Sequence, residues 1–287
     1  GEGFIGSNLI KKINSTKKNI KIISIDNNLS KQLNKIKSAN NNKIIYLRGH
    51  TKNIRSLLKN EPKIECLFHF GEFSRIVKSF ENSKKCFSSN HTGTLEVIKF
   101  CSDKDIKIIY SASSSKFGNK GRDEHLSPYS WTKSKNIELI KNYSDWFQLN
   151  YEIVYFYNVY GPGHIRKGEM AAVIGIFENC YLKNIPITVI KPGTQKRDFT
   201  HVDDIINGVM LAFKKNLNGE FMLGTNKNTS VENIAKLFKH PIIYIDKKPG
   251  ERLASTIPDL ESQKRLGYKP KIKIQDYIKS FLDENKR

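Results

Sequence analysis

An α/β architecture, with a doubly wound parallel sheet followed by a smaller mixed C-terminal region, is predicted by three observations. In the first half of the chain, short β-branched runs alternate with longer polar stretches of helical period. A glycine-rich turn at the start leads into an amphipathic helix, and an acidic residue closes the strand that follows. Beyond Gly161-Pro162-Gly163 the strand-like runs shorten and the helices scatter.

The runs of the first half are Ile20 to Asp26, Lys43 to Leu47, Ile64 to Phe70, Ile106 to Ala112 and Glu152 to Tyr157. Strands separated by helix-length segments must pair in parallel through right-handed crossovers, which places helices on both faces of the sheet. The second half offers Ile187 to Ile190, Gly219 to Leu223 and Ile242 to Ile245. Residues 1–160, joined by 196–216, are expected to form a nucleotide-binding unit, and 161–195 with 217–287 a second one. No strand-like run precedes the glycine turn and no initiator Met is present, so the sequence reads as lacking the first strand of its sheet. That omission is expected to weaken stability and cofactor affinity.

The 287 residues are 38% hydrophobic, enough for a sizeable core. The longest apolar runs are strand-sized, far below the ~20 residues of a membrane span, so no membrane partner is expected. Cys66, Cys86, Cys101 and Cys180 lie far apart, without the close pairs of a zinc site or the density of a disulfide scaffold. No metal and a reducing cytoplasm are the expectation. The formal charge of +21 invites a nucleic-acid partner. However, only nine of the 49 basic residues are arginine, and the lysines are spread among many Asn and Ile, the bias of AT-rich codons. A solvated basic face, with no nucleic-acid partner, is the simpler reading.

Gly3-Phe4-Ile5-Gly6 runs directly into the first helix, and Asp26 follows Gly6 by 20 residues. In a dinucleotide site the glycines admit the pyrophosphate to the backbone, the helix N-terminus stabilises its charge, and the acid takes ribose hydroxyls. A carboxylate there favours NAD over NADP, whose 2′-phosphate it would repel. An ordinary strand-to-helix turn with a capping Asp is the plain alternative.

Pro128-Tyr129-Ser130-Trp131-Thr132-Lys133 opens a helix that continues to about Gln148. Spacing of four puts Tyr129 and Lys133 on one face. A phenol titrates near ~10, so a tyrosine base at neutral pH needs an ammonium beside it. Chance pairing in a Lys-rich helix is the alternative. Ser111 to Ser115 follow the run ending at Tyr110, at the strand end where ligands bind in open α/β sheets. Serines there also serve as caps.

Taken together, these motifs resemble those of an extended short-chain dehydrogenase/reductase, of the NAD-dependent sugar-nucleotide epimerase/dehydratase family with its Rossmann sheet. The resemblance covers essentially the whole chain. It is carried by Gly3-Phe4-Ile5-Gly6-Ser7, Asp26-Asn27-Asn28-Leu29-Ser30, His69-Phe70-Gly71, the serine loop and Tyr129-x-x-x-Lys133. Tyr155 to Pro162 and Arg197 to Asp204 match as well. The resemblance implies Tyr129 as general base, Lys133 as the group that lowers its pKa and holds the nicotinamide ribose, and Ser113 on the reacting hydroxyl. It further implies NAD contacts from Gly3, Phe4, Ile5, Gly6, Asp26, Asn27, Phe70 and Gly71, and substrate contacts from Ser113, Ser114, Asn158, Arg197 and Lys248. Arg197 suits a diphosphate because a guanidinium binds phosphate bidentately; a salt bridge to Asp198 or Asp203 is the alternative. Lys248 stands where the family usually has Arg. A homodimer is implied too, paired through the helix of Tyr129 and its neighbour.

Several residues depart from the family pattern. His50 replaces an Asp that normally touches adenine. Glu72 stands where a small neutral residue is commoner, and pairing with Arg75 is expected of it ahead of binding a sugar hydroxyl. His201 is expected to be structural. Dehydratases and decarboxylases of this type carry an acid two positions after the catalytic Ser or Thr; here that position is Ser115, and no Asp or Glu occurs from Ser111 to Arg122. The expected reaction is therefore inversion at C4 of a nucleotide hexose, most plausibly a UDP-sugar destined for cell-surface polysaccharide. A 4-keto sugar-nucleotide reductase and a 4,6-dehydratase are the alternatives, followed by a non-catalytic NAD or nucleic-acid module.

Overall fold

The computed structural model describes residues 1–29, 34–61, 63–115, 117, 123–168, 170–246 and 259–286. Twelve strands appear among them: β1 (Lys21–Asp26), β2 (Lys43–Arg48), β3 (Cys66–His69), β4 (Lys107–Ser113), β5 (Tyr151–Phe156), β6 (Val159–Tyr160), β7 (Ile187–Ile190), β8 (Lys196–Asp198), β9 (Thr200–His201), β10 (Glu220–Leu223), β11 (Asn228–Ser230) and β12 (Ile242–Ile245). The helices are α1 (Phe4–Thr16), α2 (Ile54–Leu57), α3 (Ile76–Glu81), α4 (Ser83–Cys86), α5 (Gly93–Asp103), α6 (Pro128–Phe147), α7 (Val173–Lys183), α8 (Val202–Lys214), α9 (Val231–Leu237), α10 (Leu260–Leu266) and α11 (Ile274–Glu284).

The main sheet runs β10-β5-β4-β3, all parallel, and β1 pairs in parallel with β2. The two pieces are not hydrogen-bonded to each other, and the interval between β1 and β3 is lined by Ile22, Ile23, Ile25, Cys66, Leu67 and Phe68. The two-residue period of a strand sends alternate side chains to opposite faces. On one face Ile108, Tyr110 and Ala112 of β4 pack with Ile153 and Tyr155 of β5 against Val97 and Ile98 of α5 and Ile137 and Ile140 of α6. On the other face Ile109, Val154, Phe221 and Leu223 meet Leu9 of α1 and Val202, Ile205, Ile206 and Val209 of α8. Both faces are covered, as a parallel sheet requires.

A separate core joins Ile174 and Phe177 of α7, Ile187 and Val189 of β7, Ile234 of α9 and Ile278 and Phe281 of α11. Its chain does not begin where the sequence boundary at 217 placed it. Glu220–Leu223 extends the main sheet beside β5 because Phe221 and Leu223 complete the α8 face, a tertiary pairing that a four-residue run does not announce. A buried carboxylate ties this second region to the preceding loop. Glu178 of α7, with no exposed side-chain surface, accepts from His164 Nε2 at 2.8 Å, Arg166 Nε at 2.5 Å and the Tyr277 hydroxyl at 2.7 Å. Among the described residues no helix is long and apolar enough to cross a membrane. All four cysteines are free thiols.

Candidate active site

The start of α6 is fixed locally. Ser127 caps it by accepting from the Ser130 amide at 3.1 Å, and Pro128 occupies the first turn, where its missing N–H costs nothing. Tyr129 then sits in the first turn and Lys133 one turn later, and both line the same cavity. The cavity, about 1350 Å³, extends from the glycine turn past Ser113 and Tyr129 to Arg197, and includes the interval between β1 and β3. Its size therefore overstates the room for a ligand at the site itself.

Lys133 is 5% exposed, and its ammonium meets the Glu72 carboxylate and the Ser111 carbonyl while lying 4.7 Å from the centre of the Tyr110 ring. Glu72 Oε1 accepts from the Thr94 hydroxyl at 2.9 Å, the Asn136 amide at 3.0 Å and the Tyr110 hydroxyl at 3.1 Å. The expected partner of Glu72, Arg75, is not the actual one. Residues 71–75 form an irregular turn rather than a helix, the Glu72 amide donating to the Phe70 carbonyl at 3.1 Å, so a spacing of three does not bring side chains together. Glu72 turns inward to α6, whereas the Arg75 guanidinium reaches the carbonyls of Met170 and Ser74.

The segment carrying Glu72 is itself clamped. A π turn at Phe87–Thr92, between α4 and α5, brings Asn90 against Phe73, accepting from its amide at 2.7 Å and donating to its carbonyl at 3.0 Å. Burial, reinforced by the Lys133 charge, pushes His69 down to about 4 despite the nearby Glu72, so its imidazole is neutral. Thr94 gives its only proton to Glu72, so in the 2.8 Å contact between His69 Nε2 and Thr94 the imidazole must donate. Burial and the Glu72 charge push Tyr110 well above an ordinary phenol, keeping its proton on the Glu72 bond.

Ser113 ends β4 and faces the cavity, its hydroxyl accepting from the Ser115 amide at 3.2 Å. Ser114 also lines the cavity. Ser115 is buried away from it, with no partner for its hydroxyl among the described residues. Asn158 donates to the Asp198 carbonyl at 3.0 Å, and Arg197, 8% exposed, donates to the Lys196 carbonyl at 2.9 Å; both line the cavity. Lys248 lies outside the described residues.

At the opposite end Gly3, Phe4, Ile5, Gly6, Asp26, Asn27, Phe70 and Gly71 all line the same cavity. A Cβ on Gly6 would stand 2.3 Å from the Gly1 carbonyl oxygen, so only glycine permits that crossing, while one on Gly3 would meet nothing within 4 Å. The N-terminus of α1 has no side-chain cap and no acid in its first turn, which leaves its amides to an anion. Asp26 closes β1 and accepts from the amides of Asn28 at 2.7 Å and Glu2 at 2.9 Å and from the Gly1 amino group at 3.1 Å. Hydrogen bonds from backbone amides favour the charged form of its carboxylate. These residues fit a dinucleotide: open space over an uncapped helix N-terminus, then an ionised carboxylate at the next strand end. His50 and His201 are local caps instead, accepting from the amides of Lys52 at 3.1 Å and Asp203 at 3.2 Å.

Sequence reasoning missed the buried polar frame of Thr94, Tyr110, Asn136 and Asn90. Its one signal was polar side chains at core positions, such as Asn136 beside Ile137.

Known proteins are similar to this chain over nearly its whole length. A provisionally named UDP-glucose 4-epimerase of Methanocaldococcus jannaschii is 30% identical over 99% of this chain and 95% of its own. The ADP-L-glycero-D-manno-heptose-6-epimerase of Brachyspira hyodysenteriae is 29% identical, again over 99% of this chain and 95% of that protein. The fold matches UDP-glucose 4-epimerase of Thermotoga maritima, solved with UDP-glucose, at a TM-score of 0.86 and 23% identity, covering 99% of this chain and 96% of that one. Residues 1–224 match the NAD dependent epimerase/dehydratase family, and the chain belongs to it.

Proposed function

We propose that the protein inverts C4 of a nucleotide-diphosphate hexose, a UDP-sugar, with Tyr129, Lys133 and Ser113 as its working residues. The observation that carries this reading is the gathering of Tyr129, Lys133 and Ser113 on one cavity, with serine at 115, the position where dehydratases of the family carry an acid. Glu72, the acid that does face this part of the cavity, is bound to the Lys133 ammonium.

When bound along the glycine turn and Asp26, NAD supplies a reversible hydride acceptor. Ser113 accepts and orients the C4 hydroxyl at the strand end. Tyr129 takes that hydroxyl's proton as hydride leaves the carbon, and returns it once the 4-keto sugar has presented its other face. Lys133 stabilises the phenolate by its charge. Arg197 and Asn158 hold the diphosphate at the far end, with residues 161–195 and the chain after β10 forming the sugar-nucleotide side of the cleft. A homodimer follows from the same reading: Phe87, 39% exposed, packs on Trp131 at 5.6 Å on the face where a second copy would cover it.

The test is incubation with UDP-glucose, UDP-N-acetylglucosamine and UDP-glucuronate separately, without added reductant, with products resolved by proton NMR. A C4-inverted sugar is expected. A 4-keto-6-deoxy product would overturn the argument from Ser115, and turnover only with consumption of added NADH would make the enzyme a reductase.

A further inference from the structure

The contacts around Lys133 assign a task to Glu72. We propose that Glu72 is a positioning residue: it fixes the Lys133 ammonium so that one N–H, and only one, is left for a ligand in the cavity. This rests on the cofactor role given to Lys133 above.

An ammonium has three protons and no acceptor. The Glu72 carboxylate takes one through Oε2 and the Ser111 carbonyl takes another, both inside the protein. The side chains of the pair are only 7% and 2% exposed and Ser111 is 6% exposed, so water has little access to either acceptor. Glu72 in turn cannot swing away. Its other oxygen is held by Thr94 from α5, Tyr110 from β4 and Asn136 from α6, and its backbone is followed by Phe73, which Asn90 clamps on both sides. The donors on Oε1 are all neutral, so Lys133 is the one cation that the carboxylate touches among the described residues.

An ion pair this buried is a poor device for stability alone, because its desolvation offsets most of its attraction. Here it stands at the helix turn that carries the base, with both partners lining the cavity. A lysine free to rotate would spend its protons on whichever carbonyl was nearest. This one has a single direction open.

The test is a double-mutant cycle on NADH affinity, read by fluorescence titration of the full chain, for wild type, Glu72→Gln, Lys133→Met and the double variant. Glu72→Gln keeps the shape and removes the charge. Its NADH affinity is expected to fall roughly tenfold, the value of one charge-assisted hydrogen bond. In the Lys133→Met background the same change should cost nothing further. An equal loss in both backgrounds would mean that Glu72 acts through general packing, and no loss in wild type would mean that Lys133 holds its place unaided; either overturns the proposal. If Lys133→Met leaves NADH affinity unchanged, the cofactor role fails and the proposal with it. Should Glu72→Gln not fold, Thr94→Val, which removes one donor from Glu72, completes the same cycle with an expected loss of roughly threefold. The cycle uses no sugar, so failure of wild type to turn over any UDP-hexose leaves its outcome readable.

Discussion

Two buried glutamates, Glu72 beside the cavity and Glu178 behind it, are built from the same parts and end in different states. Each is surrounded by donors from separate elements, and each carries a cation. Around Glu178 the cation is Arg166, whose side chain is 45% exposed, and the other donors, His164 and Tyr277, come from the loop after β6 and from α11. The Arg166 guanidinium also lies 5.6 Å from the centre of the Phe281 ring, among packing residues, and the cluster is a staple. Around Glu72 the cation is itself buried and faces the cavity. The lesson is that burial and saturation of a carboxylate do not distinguish a staple from a working group; what the partner cation can still reach does.

The largest effect that could break this contrast is expected at the staple. Glu178→Leu leaves His164 and Tyr277 without their acceptor and should cost as much as ~5 kcal/mol in urea unfolding, while the folded fraction turns over normally. A loss below ~1 kcal/mol would remove the distinction. Burial raises the pKa of Glu178, but its hydrogen bonds from His164, Tyr277 and Arg166 outweigh this and leave it lowered from 4.5, so its contribution is present above that pH and lost as pH falls through the folded value.

Tyr129→Phe should do the converse. Turnover is expected to fall roughly 10³-fold by NMR assay, with thermal stability changed by no more than about 0.5 kcal/mol. A comparable loss of stability would place Tyr129 among the packing residues.

The smallest of the three sharpens the comparison through pH. His69 is depressed from 6.5 to about 4 by burial, so the unfolded chain takes up its proton first. Stability is fully present above 6.5 and drains away as pH falls toward 4, by about 3 kcal/mol in all. Urea midpoints between pH 7 and pH 5 should therefore drop further in wild type than in His69→Gln, where the smaller slope left comes from His50 and His201, also lowered by burial; the window is largely clear of the Glu178 titration.

Much of this was legible in the sequence because it is local. Each β-branched run of the first half became a strand, and Pro128 with Ser127 set the start of α6 by capping chemistry that needs no tertiary partner. The glycine turn, Asp26 and the Tyr129–Lys133 spacing were legible for the same reason. Glu72 was misread because spacing of three means proximity only on a helix, and nothing local shows that 71–75 is an irregular turn. Strand β10 was given to the second region because three apolar residues, Phe221 to Leu223, fit either core, and only the unfilled edge of β5 decides. The partners of Glu72 come from α5, β4 and α6, far apart in the chain, so no motif unites them.

The π turn at Phe87–Thr92 has an implication for how this site tolerates change in chain length. Each residue of an α-helix advances roughly 100° about the axis. The wide turn changes the rotation per residue, so Asn90 within it and Thr94 just after it are out of phase with an unbroken helix and each still meets its own target, Phe73 and Glu72. Deleting one residue there would restore a regular helix and leave α5 packed, yet turn one of the two side chains to a different quadrant. The segment is a phase adjuster: its length is set by the angle between two hydrogen bonds, and helix propensity does not enter.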